Sequence, residues 1–366
     1  MTGPIHLAHV PVGAGHPPVF LAEIGTFFNQ DMDAARHMVE RIAGVRAEAQ
    51  LPLVMKGEIL HDLSLCLDDE TQERFVSKSG VVRSERYRDL MARKVVPLSR
   101  YQRLIGQIRD FDLPLVLSVY DAIGADFAVS CGAAGLKIAS ANITNIPLIR
   151  HVAGLGLPLL IDTGRAGLDE VARAFWTARQ AGARDIVLEH SPDGHPSPPA
   201  NHNLRLLNTY AAAFEVPVGL SDHHVGDEMM FMAIALGASL LEKGVIEEPD
   251  SVEQDAAHAL ALSDLKETLH RLYGGWLALG HGYRDRKAPI QGNVATSQRQ
   301  GLVAQRDLHP GDRIGLDTVR FAWPAKGIAV EHWDLVQDWQ VTQPIPAGAP
   351  IPWHAVHAQP PLSPPG

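Results

Sequence analysis

The sequence has only two cysteines among its 366 residues, Cys66 and Cys131, and no CxxC pair. This scarcity excludes a disulfide framework and a cysteine-ligated zinc cluster. An excess of positive charge is also lacking, because 32 Lys and Arg residues stand against 42 Asp and Glu residues, for a net charge of −10. A protein that binds nucleic acid through its backbone needs a basic face, so we expect no nucleic-acid partner. An acidic protein can still contain a locally positive pocket for an anionic small molecule.

Long apolar runs are the third absence. No apolar stretch approaches ~18 residues, so we expect no membrane-spanning helix and no membrane partner. The first residues, MTGPIHLAHVPVGAGHPPVF, have neither the basic region nor the apolar core of a signal peptide. The sequence therefore predicts a cytoplasmic protein.

Short apolar runs alternate with amphipathic stretches through most of the chain. Eight runs are typical of buried strands, and each precedes a segment with helical periodicity. They are VFLAEI (19–24), LPLVMK (51–56), LPLVLS (113–118), AGLKIAS (134–140), LPLLIDTG (157–164), DIVLEH (185–190), VPVGLS (216–221) and ASLLEK (238–243). Strands that alternate with helices pair in parallel. The count of eight predicts an α/β fold, a closed (β/α)8 TIM barrel, and a doubly wound open sheet is the alternative.

The pattern changes after Gly282. We predict a barrel domain over 1–282, a polar linker over 283–298, and a small β-rich domain over 299–356, where the runs are short and broken by Gly and Pro. Residues 357–366 contain QPPLSPPG and are predicted to be a disordered tail.

Nearly every predicted strand ends in a polar or ionisable residue. These residues are Glu23, Lys56, Lys137, Ser140, Asp162, Thr163, Glu189, His190, Ser221, Asp222, His223, Glu242 and Lys243. In a barrel the reactive groups lie at the C-terminal ends of the strands. Lysines with hydroxyl groups bind phosphate or carboxylate, whereas carboxylates and histidine move protons or hold a metal. Strand ends also become polar simply where they reach solvent, but that does not require this many ionisable groups. The pattern therefore favours a pocket for an anionic, oxygen-rich substrate.

The same positions resemble motifs of the sialic acid (N-acetylneuraminate) synthase family. LAEIGTFFNQDMDAA resembles AEIGxNHNGD, and LKIASANITNIPLIRHVAGLGLPLLIDTG resembles KIGSxExxNxPLI…KPxxxSTG. VGLSDHHVGDEMMFMAIALGASLLEK is similar to GxSDHTxG…AxALGAxxxEKHF. The segment that starts at GLVAQRDLHPGDRIGLDTVRF is similar to the small SAF (antifreeze-like) domain of these enzymes. The resemblance covers nearly the whole chain in the same order.

The resemblance implies a reaction between phosphoenolpyruvate and an amino-sugar aldehyde, which gives a nine-carbon 2-keto-3-deoxy sugar acid and phosphate. It also implies a divalent metal, usually manganese, and a homodimer whose SAF domains lie over the partner's barrel. Matched positions suggest catalytic roles for Glu23, Lys56, Lys137, Asp222 and Glu242. They suggest substrate-binding roles for Lys56, Lys137, Ser140, Asn145, Thr163, Ser221 and Asp255, and a metal-binding role for His223.

The departures from the family pattern concern the sugar and metal side of the pocket. The second metal histidine of the family is Gly244, the asparagine–histidine pair after the first strand is Phe27–Phe28, and Trp323 stands where the SAF domain has an arginine. Smaller departures are Glu58, Asn142, Gly194 and His195. With one imidazole lost, we expect Mn²⁺ or Mg²⁺ to bind weakly through His223, water and substrate. Candidate substitutes are His190, His195, His224 and above all His258, and a metal-independent reaction is the alternative.

Three functions are compatible with these residues. The first is a divergent synthase that uses phosphoenolpyruvate and an aldehyde other than N-acetylmannosamine. The second is aldol cleavage or lyase chemistry in the same pocket. The third is a non-catalytic relative that binds a sugar acid. The lysine pair and Glu23 favour an enzyme, whereas Gly244, Phe27 and Phe28 favour the other two.

Overall fold

A computed structural model of the chain divides into two compact units, 1–282 and 283–366. The structure describes residues 3–28, 30–76, 80–247, 255–282 and 299–358. The predicted linker 283–298 and all but the first two residues of the predicted tail lie outside the described residues. Within them, none of the helices is long and apolar enough to cross a membrane.

The first unit contains an eight-stranded parallel barrel preceded by one hairpin and interrupted by another. Its strands are β1 Ile5–Leu7, β2 Val10–Val12, β3 Val19–Gly25, β4 Leu53–Ile59, β5 Gln72–Val76, β6 Val82–Arg86, β7 Leu115–Val119, β8 Gly135–Ile138, β9 Leu159–Asp162, β10 Ile186–His190, β11 Val218–Ser221, β12 Leu240–Ile246 and β13 Leu260–Ala261. The barrel order is β3-β4-β7-β8-β9-β10-β11-β12, and β12 pairs with β3 and closes the ring. The predicted (β/α)8 barrel is confirmed.

Helices follow the barrel strands and cover their outer faces. They are α1 Met32–Arg46, α2 Tyr87–Ala92, α3 Leu98–Asp110, α4 Ala122–Ser130, α5 Ile146–Gly154, α6 Leu168–Gln180, α7 Leu206–Phe214, α8 Glu228–Ala235 and α9 Leu265–Leu279. Their apolar stripes and the outward-facing strand residues form the largest buried cluster of the unit. Burial of these stripes is the main driving force for closing the ring.

Four barrel strands begin two residues later than the apolar runs suggest, because each run has proline at its second position. Proline has no N–H to donate to a neighbouring strand. The carbonyl oxygens of Pro52, Pro114, Pro158 and Pro217 nevertheless accept hydrogen bonds of 2.8–3.2 Å from adjacent strands. Proline therefore fixes where each strand begins and also takes part in the ladder.

The N-terminal hairpin β1–β2 closes the end of the barrel opposite the strand carboxyl ends. Its buried residues Ile5, Leu7, Val10 and Val12 pack against one another and against inward-facing apolar side chains of the barrel. The sequence pattern does not predict these strands, because three residues are too few to show a period. The hairpin leaves the C-terminal mouth as the open end.

A second hairpin, β5–β6, and helix α2 lie in the long polar segment between β4 and α3. The segment is polar and shows no apolar run typical of a barrel strand. Its importance for the site is that α2 and the residues after it bring Tyr87, Met91 and Lys94 to the barrel mouth.

The second unit is small and β-rich, as predicted. It contains the antiparallel pairs β14 Gly301–Ala304 with β15 Val319–Ala322 and β16 Gln340–Val341 with β17 Val356–His357, and the short helix α10 Trp333–Val336. A separate apolar cluster around Leu302, Ile328 and Ile351 forms its core. His357 pairs with Gln340, so the predicted tail includes one residue of this strand.

Candidate active site

A cavity of about 250 Å³ lies at the carboxyl ends of the barrel strands. Its lining contains most of the predicted site residues: Glu23, Lys56, Lys137, Ser140, Ser221, Asp222, His223, Glu242, Asp255 and His258. Larger hollows of about 450 and 750 Å³ lie near the amino ends of the strands, where apolar residues, glycine and proline predominate. Ionisable groups converge at the carboxyl ends, so chemistry is assigned to the smaller cavity.

Lys137 lies at the centre of a buried charge cluster. Its ammonium Nζ is 2.6 Å from Glu242 Oε1, 3.0 Å from Glu189 Oε2 and 3.2 Å from Asp162 Oδ2. The register explains this convergence, because Asp162 and Glu189 end the two strands that follow β8 and face each other in the β9–β10 ladder. Lys137 is only 2% exposed and is therefore held by ion pairs instead of water.

A second lysine joins the same cluster from the other side of the barrel. Lys56 on β4 donates a short hydrogen bond to Glu23 on β3 and lies 3.3 Å from Glu58 Oε1. Its Nζ is also 3.8 Å from Glu242 Oε1, so Glu242 bridges the two ammonium groups. Ser221 Oγ donates a 3.0 Å hydrogen bond to this same oxygen.

Burial divides the carboxyl groups of the cluster into two types. Burial raises the pKa of Glu23 and of Glu189 to about 8, although the neighbouring lysines oppose the shift. Burial also acts on Glu242, but Lys137 and Lys56 outweigh it and lower its pKa to about 2. At neutral pH, Glu23 and Glu189 therefore keep a proton that they can donate, whereas Glu242 is a carboxylate. Such a division of neighbouring carboxyl groups suits acid–base chemistry.

Asp222 acts on the loop after β11 more than on the open cavity. Its Oδ2 accepts a 2.7 Å hydrogen bond from Lys243, and its Oδ1 accepts one of 3.0 Å from the His224 N–H. Lys243 also donates to the carbonyl oxygens of His224 and Gly226. The two predicted site residues together fix the loop that carries His223, and a direct catalytic role for Asp222 stays a prediction.

Asn145 and Thr163 do not line the cavity. The Asn145 side chain accepts a 3.2 Å hydrogen bond from Leu148 N–H and caps helix α5. Thr163 Oγ1 donates 3.0 Å to the Glu189 carbonyl and supports the end of β10. Both positions have structural partners that account for the residue type, and their contact with substrate stays a prediction.

Three histidines meet at the edge of the cavity. The ring centroid of His223 is 4.2 Å from that of His195 and 4.8 Å from that of His258. One ring nitrogen from each of the three lies within 4.8 Å of the others. Asp255 Oδ1 is 3.1 Å from His195 Nδ1. Burial lowers the pKa of His258 to about 3 and that of His223 well below its usual value, so both rings are neutral and can act as ligands at neutral pH.

The ring of Phe27 leaves little room for a side chain at Gly244 on strand β12. A Cβ atom at this position would lie 3.1 Å from two ring atoms of Phe27. The Phe27 ring packs against the apolar cluster of Ile246, Ala256 and Ala259. Phe27 after β3 and Gly244 on β12 are therefore sterically matched, and a histidine at 244 needs Phe27 to move.

Several cavity residues were not assigned roles from the sequence. Glu189 and Asp162 were recognised only as polar strand ends, and their contacts with Lys137 make them part of the site. Ser118 and Tyr120 at the end of β7 also line the cavity, as does Tyr87. Ser118, the last residue of LPLVLS, is predictable as a cavity residue from the sequence, because it is a polar residue at the carboxyl end of a barrel strand like the others.

Comparisons with known proteins agree with this geometry. Residues 56–284 match the NeuB family, and residues 299–357 match the SAF domain. An uncharacterised protein of Methanocaldococcus jannaschii is 28% identical over 89% of this chain and 90% of its own length. The N,N'-diacetyllegionaminic acid synthase of Legionella pneumophila is 25% identical over 95% of this chain and 97% of its own length.

A solved structure shares the fold. The N-acetylneuraminic acid synthetase of Leptospira borgpetersenii superposes with a TM-score of 0.68 at 21% identity, over 79% of this chain and 94% of that one. The family match covers more than half of the chain and includes the carboxyl ends of seven of the eight barrel strands, all but that of β3. The chain belongs to the NeuB family and carries a SAF domain after its barrel.

Proposed function

We propose that this protein condenses phosphoenolpyruvate with an amino-sugar aldehyde and forms a nine-carbon 2-keto-3-deoxy sugar acid and phosphate. The observation that carries the proposal is the buried pair Lys56 and Lys137, bridged by Glu242 at the barrel mouth. The relationship to a legionaminic acid synthase supports the same reaction class. The sugar is an N-acyl hexosamine or a deoxy relative, and Phe27 in place of a polar residue favours an aldehyde with an apolar group.

The two lysines suit the charges of phosphoenolpyruvate, which carries a phosphate and a carboxylate. Both ammonium groups now contact carboxyl groups, and two of these, Glu23 and Glu189, are mostly protonated at neutral pH because burial raises their pKa to about 8. At these two positions an incoming anion therefore meets a neutral carboxyl group instead of a carboxylate. Charge-assisted hydrogen bonds from lysine to phosphate or carboxylate are stronger than neutral ones.

The reaction balances with the groups in the cavity. The C3 carbon of phosphoenolpyruvate bonds to the aldehyde carbon, and the aldehyde oxygen takes a proton. Water adds at C2 and loses a proton. The new C2 hydroxyl then gives its proton to the departing phosphate as the bond from C2 to the phosphate oxygen breaks, which leaves the 2-keto acid and hydrogen phosphate. A protonated Glu23 or Glu189 is a suitable donor because its pKa of about 8 lies near neutrality, and the carboxylate that it becomes can take the proton that water loses.

A divalent ion fits the histidine edge of the cavity. The Nδ1 atoms of His223 and His258 are buried and have no hydrogen-bond partner among the described residues. A bound ion would polarise the aldehyde carbonyl group and so favour attack of phosphoenolpyruvate C3 on the aldehyde carbon. The sequence predicts weak binding of Mn²⁺ or Mg²⁺ because it places one imidazole, that of His223, at the site. In the structure the imidazoles of His195 and His258 lie beside it.

The test is phosphate release from phosphoenolpyruvate with a panel of N-acyl hexosamines and their deoxy derivatives, with the product mass measured alongside. Phosphate should appear only when both substrates are present. Lys137→Met should abolish the reaction while the far-ultraviolet circular dichroism spectrum is kept. Lys266→Met is the matched control, because Lys266 is exposed on α9 and should not affect turnover.

Two other outcomes would contradict the proposal. Cleavage of a sugar acid without phosphate would indicate lyase chemistry. Binding of a sugar acid by calorimetry, with no turnover of any aldehyde in the panel, would indicate a non-catalytic relative. We also propose a homodimer, as the family resemblance implies, and light scattering should then give twice the chain mass of 39.7 kDa.

A further inference from the structure

The histidine trio combines residues from three separate segments of the barrel unit. His195 lies in the loop after β10, His223 follows β11, and His258 lies just before β13. The centroids of His195 and His258 are 5.5 Å apart, and His223 is closer to each of them. Three imidazoles that approach from different directions form an arrangement that can surround an ion.

The trio is costly without a ligand. His258 is 4% exposed, and neither its Nδ1 nor that of His223 has a hydrogen-bond partner among the residues that the structure describes. Burying a polar atom without a hydrogen-bond partner destabilises the folded state. Two such atoms in adjacent rings indicate that something else satisfies their lone pairs.

Asp255 supplies the support that metal-binding histidines usually have. Its Oδ1 lies 3.1 Å from His195 Nδ1, within ion-pair distance but not aligned as a hydrogen bond, which leaves Nε2 of that ring for a ligand bond. A carboxylate behind a histidine fixes the ring orientation and makes it a stronger ligand. Asp255, to which the family resemblance assigns a role in substrate binding, therefore also supports His195 in this chain.

The substitution at Gly244 is linked to the same trio. Phe27 occupies the space beside Gly244 and packs against Ala256 and Ala259, the residues on either side of the Ala257–His258 pair. The ring that excludes a histidine from β12 thus supports the segment that carries His258. The same packing of Phe27 therefore excludes a histidine at Gly244 and supports the segment that carries His258.

We propose that His195, His223 and His258 together bind one divalent transition-metal ion, and that this three-imidazole set replaces the two-histidine site of the family. Three nitrogen ligands favour Co²⁺, Fe²⁺ or Zn²⁺ over Mn²⁺ and Mg²⁺, which prefer oxygen. Bonds of about 2.0–2.1 Å place tetrahedral ligand nitrogens roughly 3.3 Å apart, so the rings close by about an ångström when the ion binds. Three protein ligands leave a position open to the cavity, as in catalytic sites.

The experiment measures metal binding by the full-length protein after chelation and dialysis. Calorimetry with Co²⁺ and Mn²⁺ should give one site per chain, with Co²⁺ bound roughly 100-fold more tightly. X-ray absorption of the Co²⁺ form should count three imidazoles. His258→Ala and His195→Ala should each weaken Co²⁺ binding by about 10-fold or more, and Asp255→Asn by about 10-fold.

His224→Ala is the matched control, because this half-buried ring is next to His223 in sequence but contacts the Ser197 carbonyl instead. It should leave Co²⁺ affinity unchanged. His258→Gln keeps most of the buried volume and serves if the alanine variant unfolds. Unchanged affinity in folded His258 and His195 variants, or one or two imidazoles in the absorption spectrum, would overturn the proposal. The readout is binding and not turnover, so this proposal and the proposed reaction can fail separately.

Discussion

Replacing Glu189 with glutamine should remove part of the pH dependence of folding stability. Glu189 is completely buried, and its Oε1 has no hydrogen-bond partner among the described residues. Burial, opposed by Lys137, raises its pKa from 4.5 to about 8. The folded state therefore holds a proton between these pH values that the unfolded state has released.

The sign of the effect follows from proton linkage. When the folded state binds one proton more than the unfolded state, the free energy of unfolding falls by about 1.4 kcal/mol for each pH unit. The stabilising contribution of the proton is complete below pH 4.5 and is lost as pH rises toward 8. Between pH 5 and 8 the Glu189→Gln variant should therefore lose roughly 3–4 kcal/mol less stability than the unmodified protein.

Urea unfolding followed by circular dichroism at several pH values measures this difference, because most of the helical signal comes from the barrel unit. Glu267→Gln is the control, since Glu267 is exposed in the first turn of α9. Its pH profile should run parallel to that of the unmodified protein. If the Glu189→Gln profile is also parallel, Glu189 ionises as an ordinary carboxyl group and the assigned proton donor is wrong.

Four further predictions concern packing and hydrogen bonds. Gly244→His should destabilise the protein by about 1–3 kcal/mol through overpacking against Phe27, and combining it with Phe27→Ala should relieve this in thermal unfolding. Leu7→Ala should cost about 2–5 kcal/mol in urea unfolding, because it leaves a cavity under the barrel. Gly135→Ala places a Cβ 2.9 Å from Leu7 Cδ2. The variant that combines Leu7→Ala with Gly135→Ala should therefore lose less stability than the sum of the losses of the two single variants, and strict additivity would contradict this contact. Tyr101→Phe should cost about 0.5–1.5 kcal/mol, because its hydroxyl accepts a 3.2 Å hydrogen bond from Leu60 N–H, and an unchanged melting temperature would refute it.

The barrel could be predicted from the sequence because its strands and helices each leave a periodic pattern of apolar residues. Eight apolar runs, each followed by a helical pattern, leave few alternatives to a closed parallel sheet. Hairpin β1–β2 could not be predicted in the same way, since its three-residue strands are defined by contacts with distant barrel residues such as Leu160 and Leu240. Tertiary packing, and not local pattern, determines that element.

The charged half of the site follows from the same periodicity. Once the strands are placed in register, the positions at their carboxyl ends must converge, and Lys56, Lys137 and Glu242 do so within 4 Å. What sequence alone does not provide is the state of each carboxyl group. The raised pKa of Glu189 depends on burial by neighbours from other strands, which no single segment reveals.

The histidine half of the site could be predicted only as a set of candidates, for a physical reason. His195 and His258 lie in loops, where the chain path is set by individual contacts and no period places a side chain. His223 lies two residues after the end of β11, so the strand pattern predicts its place at the barrel mouth, whereas His195 and His258 are two of four candidate substitutes. Strand ends thus fix the lysine–carboxylate cluster, and loops determine what surrounds His223. A change such as glycine at 244 can consequently remodel the histidine side, through Phe27 and the segment that carries His258, without disturbing the lysine–carboxylate cluster.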